Sequence, residues 1–465
     1  MVHPMLLRHS AILFLCVINF DILRNLKESL LLPRLGAEAI PFVKLWVVMP
    51  AALFFLVTYS FLANRLSKRL LFIISLLPFL LWMPLFSHLL YPNLDHLAPA
   101  RLCQFLTGSL PDNLQLVSHL VYYWPLTLLL AVAELWSSAV LCILFWTTVN
   151  DVYSPESATH NYPLITLLGN SASILSGLMI IFYAQWNRQS NDWQDNLWML
   201  TLVYLACGLG IIFLYEHCRN RRPSVKAESG FRQTATQLSL QESFSYLFKC
   251  PYLACITVMM VAYCIAANTI DVAWKSQLVR LYPTEAAYSA FIGKLTFLNG
   301  IGCVLFALLG SLLLKRSWQT AAMTTPILMG VTAVPFFLLA AGQTLELAGS
   351  TLGLLNTGVI FGMCNSVVSR SGKYTLFDST KEMAFVPLNN EQKFKGKAAI
   401  ELIASKLGKS SSALLQQVMI TFCGSLTLAM PWLAALYMLA TMLWLVALNS
   451  LGKRYSTLID TTRAG

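Results

Sequence analysis

Apolar runs of about twenty residues, each long enough to cross a bilayer as a helix, recur along the whole chain between short polar stretches. They fall near 9–32, 40–63, 69–91, 118–149, 161–185 and 196–215, and again near 251–273, 288–313, 320–342, 350–370, 408–429 and 431–450. Between the two sets lies the polar stretch Glu216 to Lys249, which carries Arg219, Arg221, Arg222, Lys226 and Arg232. The pattern predicts an all-α polytopic membrane protein with twelve transmembrane helices in two six-helix halves. The halves would occupy 1–216 and 251–465, the second ending in a short cytoplasmic tail, with a cytoplasmic loop over 217–250 between them.

Composition agrees: of 465 residues 57% are apolar and 11% charged, where an ordinary soluble domain has about 25% charged. A water-soluble protein is excluded. The net charge of +11 would suggest nucleic acid in a soluble chain, but its placement gives another meaning. With the N-terminus inside, most Lys and Arg fall in cytoplasmic segments, and the opposite loops hold Arg34, Lys44, Arg101, Arg188, Lys275 and Arg280. That bias is the positive-inside pattern for twelve spans with both termini cytoplasmic, and it accounts for the basicity without nucleic acid. The first run carries charges and no small-residue cleavage site follows it, so direct insertion is expected, as in a bacterial inner-membrane protein. The eleven cysteines are scattered through apolar runs with no C-x-x-C spacing and read as small buried hydrophobes.

Parallel duplicated halves are common in transporters of this size, and the chain carries an echo of one. Lys27 and Leu30 recur as Lys275 and Leu278, Glu38-Ala39 as Glu285-Ala286, and Phe42 as Phe291.

Ionisable side chains inside spans cost about 2.5–3.5 kcal/mol or more at mid-bilayer and so point to function. The first span holds Asp21, Arg24, Lys27 and Glu28. One reading is a self-neutralising helix end; the other has Arg24 and Lys27 meeting an anionic substrate in a central cavity, with Asp21 or Glu28 fixing the arginine. Glu134 has no charged neighbour within Leu126–Trp146, which suits either a protonated carboxyl hydrogen-bonded in the bundle, a proton-carrying or exchange-coupling acid, or an acceptor for a base or ribose hydroxyl. Asp271 and Lys275, spaced i, i+4, form either a plain interfacial pair or part of a pocket opposite Lys27. Lys294 either pairs with Glu134 or Asp271 or reaches to the interface. Lys395-Gly396-Lys397, ahead of a helical start, can grip phosphate with amines and free amides, or simply belong to a basic cytoplasmic loop.

Gly408-Lys409-Ser410 invites a P-loop, but the pattern needs glycine where Ile403 stands, so an ATP-driven pump is disfavoured. No H-E-x-x-H, metal cluster or G-x-S-x-G appears, which leaves an enzyme without its chemistry and implies no metal or cofactor. Secondary transport of an anion remains.

Several stretches in collinear order resemble the ATP/ADP translocase family, the nucleotide transporters of plastids and of obligate intracellular bacteria such as chlamydiae and rickettsiae. They are Leu23-Arg24-Asn25-Leu26-Lys27-Glu28, Gly36-Ala37-Glu38-Ala39-Ile40-Pro41-Phe42-Val43-Lys44, Ala133-Glu134-Leu135-Trp136 and Phe145-Trp146 in the first half. In the second they are Asp271-Val272-Ala273-Trp274-Lys275-Ser276, Tyr288 to Gly293, Leu376-Phe377-Asp378 to Pro387-Leu388, Lys395 to Ile400 and Leu407 to Ser410. The resemblance implies a major-facilitator-like fold, a nucleotide site between halves and alternating access. It also implies transport roles for Lys27, Glu134, Asp271 and one of Lys397 and Lys409. This chain departs from the family pattern in having Asp271 for glutamate, Lys294 where aspartate is frequent, and Thr159-His160 for a basic pair. The expected activity is ATP/ADP exchange across the lipid bilayer, with proton-coupled net import of nucleoside triphosphates or exchange of another nucleotide such as NAD as the alternative. The substrate-contacting set expected is Arg24, Lys27, Glu134, Asp271, Lys275, Lys395, Lys397 and Lys409.

Overall fold

A computed structural model describes residues 4–150, 152–153, 155–186, 193–220, 250–344, 351–388, 400 and 408–464. Every regular element among the described residues is helical. The first part of the chain forms α1 (Pro4–Leu35), α2 (Ala39–Ala63), α3 (Lys68–Leu90), α4 (Ala100–Ser109), α5 (Gln115–Tyr122), α6 (Trp124–Asn150), α7 (Pro155–Asn170), α8 (Ala172–Trp186) and α9 (Trp193–Asn220). The remainder forms α10 (Pro251–Leu281), α11 (Glu285–Arg316), α12 (Trp318–Thr344), α13 (Leu352–Ala384), α14 (Gly408–Cys423) and α15 (Leu426–Ala464).

Eleven stretches among the described residues are helical, long and apolar enough to cross a membrane, and α7 with α8 supplies one of them across the turn at Ser171. The predicted run at 408–429 is α14, of which 16 residues, Gly408–Cys423, are helical among the described residues. Its end is set by Gly424, whose φ of +78° is open to glycine at no steric cost. The chain thus turns several residues earlier than hydropathy alone indicates. A second difference lies before the fourth span. Where one long helix was expected from 118, α5 ends at Tyr122, Tyr123 caps both helices, and α6 starts at Trp124 with Pro125 in its first turn, a position proline favours. Upstream, α4 and α5 clasp each other, Ser118 donating to the Cys103 carbonyl at 3.1 Å.

Membrane exposure shows in what the helices leave uncovered. Phe54 (74%), Leu338 (68%) and Phe422 (85%) are examples of many large apolar side chains facing outward, a load that a water-facing surface does not carry. The protein is a multi-pass membrane protein.

By compactness the chain divides into two units. The first comprises Met1–Pro223 and Leu278–Ile301, the second Ser224–Gln277 and Gly302–Gly465. In the first, α1 is the central helix, packed by α6, α7, α8 and α9 and far more buried than α2. Its core is aromatic: the Trp136 indole donates to the Cys16 carbonyl at 3.1 Å, and Tyr204 to the Phe79 carbonyl at 3.1 Å. Glycine lets α8 meet the start of α11 closely, since a Cβ at Gly177 would overlap the Phe297 backbone, the small-residue contact typical of membrane helices. In the second unit α12 packs on α13 and α15. Asn365 ties all three, donating to the Met329 carbonyl at 2.7 Å and Thr332 at 2.8 Å, while Tyr437 also donates to Met329 at 3.0 Å.

Candidate functional site

The charged cluster of the first unit is built on α1, where helical spacing places Asp21, Arg24, Lys27 and Glu28 on successive turns. Glu134, isolated in its own sequence, receives its partner from α1: the Lys27 ammonium donates to its carboxylate. Lys27 is 10% and Glu134 26% exposed at the side chain, so the pair is largely withdrawn from solvent yet open on one side. Sequence spacing could not show this contact, which spans 107 positions.

Arg24 Nε lies 3.4 Å from Glu28 Oε1, so of the two carboxylates expected near the arginine it is Glu28 that meets it here. Asp21 is fully buried and accepts hydrogen bonds from Ser173 at 2.7 Å and Ser176 at 2.8 Å. Its charge is therefore met by hydroxyl donors from α8, a role for those serines that the sequence signals only through their i, i+3 spacing. Beside it, Asn25 donates to the Ser289 carbonyl at 3.0 Å and accepts from the Ser289 hydroxyl at 2.8 Å.

At the end of α1, Arg34 meets Glu285 at 2.7 Å, and Tyr91 donates to the other Glu285 oxygen at 2.9 Å. The guanidinium also lies 5.6 Å from the Tyr91 ring centroid, within cation–π range. Burial, and secondarily the Glu285 charge, push the Tyr91 phenol well above its ordinary range. None of these three was singled out as a site residue from the sequence.

In the second unit, Lys275 Nζ meets Asp271 Oδ2 at 2.8 Å, with side chains 4% and 25% exposed. The i, i+4 pair expected from spacing is thus formed, and its lysine is more buried than an interfacial ammonium ordinarily is. Lys294 meets neither expected carboxylate; it is exposed and lines a cavity in the first unit. Lys395 and Lys397 lie outside the described residues, and Lys409 begins α14 with its side chain outside them.

Chemically, the Lys27 and Glu134 pair is an exchangeable contact. An ammonium held by one carboxylate can donate to a phosphate oxygen instead, and the released carboxylate can then take a proton or accept a hydroxyl hydrogen bond.

A family model described as "TLC ATP/ADP transporter" matches residues 3–455. The chain is 34% identical over 466 residues to ADP,ATP carrier protein 1 of Chlamydia pneumoniae, covering 96% of this chain and 90% of that protein. It is 34% identical over 460 residues to the chloroplastic ADP,ATP carrier protein 2 of Arabidopsis thaliana, covering 97% and 74%. With ADP,ATP carrier protein 3 of Rickettsia bellii the identity is 32% over 479 residues, covering 96% and 94%. Among solved structures, an inward-facing bacterial homologue of the iron transporter ferroportin superposes with a TM-score of 0.60 at 13% identity, over 96% of this chain and 98% of that one. A D-xylose-proton symporter gives 0.55 at 12%, over 94% and 96%. These two likenesses concern the fold alone.

Proposed function

The chain belongs to the TLC ATP/ADP transporter family, and on that premise we propose that it exchanges ATP for ADP across a bacterial inner membrane by alternating access. In this reading α14 is the twelfth span, both termini are cytoplasmic, and two six-helix halves over 1–216 and 251–465 flank the 217–250 loop. Arg24 and Lys27 meet phosphate oxygens, while Glu134 and Asp271 hold Lys27 and Lys275 between substrates. Lys395, Lys397 and Lys409 supply further cations to the phosphate chain.

The observation that carries the reading is the Lys27 and Glu134 ion pair. A buried ammonium that always has an anionic partner, carboxylate or phosphate, avoids the cost of a bare charge within the membrane. No bond is made or broken, and the nucleotide gradients alone supply the driving force.

The test is uptake of labelled ATP by intact bacterial cells expressing the protein, followed by a chase with unlabelled ADP outside. Rapid loss of label on the chase is expected. Label that resists the chase but collapses with the proton gradient would replace exchange with proton-coupled net import, and no uptake would overturn the ATP assignment.

A further inference from the structure

The first unit contains a cavity of about 270 Å³ where α8 ends and α11 begins, lined by Gln185, Tyr282, Thr284, Phe291, Lys294 and four alanines. Lys294 stands out among the described charged side chains in spans. Lys27 has Glu134, Arg24 has Glu28, and Lys275 has Asp271. Lys294 has no carboxylate within ion-pair distance among the described residues, is exposed and lines the cavity. The nearest acidic residue in sequence, Glu285, is already engaged by Arg34 and Tyr91.

The other walls complement a cation. Tyr282 and Phe291 set their rings 5.1 Å apart at 33°, making an apolar aromatic wall, and Gln185 and Thr284 add hydrogen-bonding groups. An unpaired ammonium beside aromatic rings and neutral polar groups is a receptor for an anion with an apolar body. The volume lies just under the usual range for ligand pockets, about 300–1,000 Å³. It suits one phosphate group with a small attached moiety.

We propose that this cavity is a phosphate-binding site centred on Lys294, separate from the Lys27 and Glu134 pair, that takes a phosphate group borne by a water-soluble nucleotide or by a phospholipid headgroup. The two sources share the chemistry that Lys294 recognises. The site stands apart from the exchange reading and is tested without transport.

The experiment follows acylation of lysine amines in the purified full-length protein in detergent, read peptide by peptide by mass spectrometry. Inorganic pyrophosphate is one probe and phosphatidylglycerol the other, with the exposed Lys453 as control. At ten times its Kd a bound probe should slow acylation of Lys294 about tenfold, because only the free fraction reacts, and leave Lys453 unchanged. Protection by pyrophosphate assigns the site to soluble phosphates, and protection by phosphatidylglycerol alone assigns it to lipid. The same protection is expected in Lys27→Ala combined with Glu134→Gln, in which the ion pair is removed as a whole. The proposal is overturned if neither probe slows Lys294, if Lys453 is slowed equally, or if this double variant, still folded by its melting temperature, shows no protection.

Discussion

Replacing Lys27 with alanine tests the binding role of α1 against a purely structural one. Lys27 is nearly buried and meets Glu134, itself about a quarter exposed. If the ammonium binds phosphate, its loss removes a hydrogen bond to a charged group, worth about 1.5–3 kcal/mol. That corresponds to roughly a ten- to 150-fold fall in nucleotide affinity. The same change leaves the Glu134 carboxylate without its cation, at about 2.5–3.5 kcal/mol if it stays charged within the membrane. The single variant should therefore lose both exchange and thermal stability. Lys27→Ala combined with Glu134→Gln separates the effects, because both members of the pair are then uncharged. Its melting temperature in detergent should recover towards wild type while ATP/ADP exchange in proteoliposomes stays lost. A double variant exchanging at the wild-type rate would refute the argument and reduce Lys27 to a counter-ion.

Asp21→Ala removes the acceptor for two serine hydroxyls, and each stranded hydroxyl costs about 1–3 kcal/mol; thermal unfolding should shift more than for Ser173→Ala, and equal shifts would refute the shared-acceptor account. Gly177→Leu should abolish accumulation of the protein in the membrane, because its side chain would enter the Phe297 backbone, whereas Gly330→Ala meets only ordinary contact distance and should accumulate normally. Lys275→Met should cut exchange strongly if the second-unit pair meets substrate, while wild-type kinetics would make Lys275 and Asp271 a plain structural pair.

Hydropathy located most of the helices because crossing a bilayer requires continuous apolar length, a property local to each segment. What it missed is what local patterning does not encode. The end of α14 is decided by one glycine conformation at residue 424, and the helices α4 and α5 are too short to register as spans. The charged residues of the site were visible one by one because ions are rare in apolar runs. Their pairing was not. Glu134 stood alone in its own helix until α1 brought Lys27 to it, and Asp21 finds its donors on α8. For Lys294 the sequence left open a carboxylate partner or a reach to the interface; Glu134 and Asp271 are engaged by Lys27 and Lys275, and only the folded chain shows it.

The links between α1 and the start of α11 differ in their sensitivity to ions. Asn25 and Ser289 are uncharged and buried, so dissolved salt leaves their two hydrogen bonds nearly untouched. Arg34 and Glu285 are partly exposed charges, whose attraction is screened as the Debye length contracts from about 10 Å at 0.1 M to about 3 Å at 1 M. One fastening thus holds at any ionic strength while its neighbour loosens as salt rises. The grip of the 278–301 segment on the first helix is therefore graded by the surrounding electrolyte, with a floor that salt cannot remove.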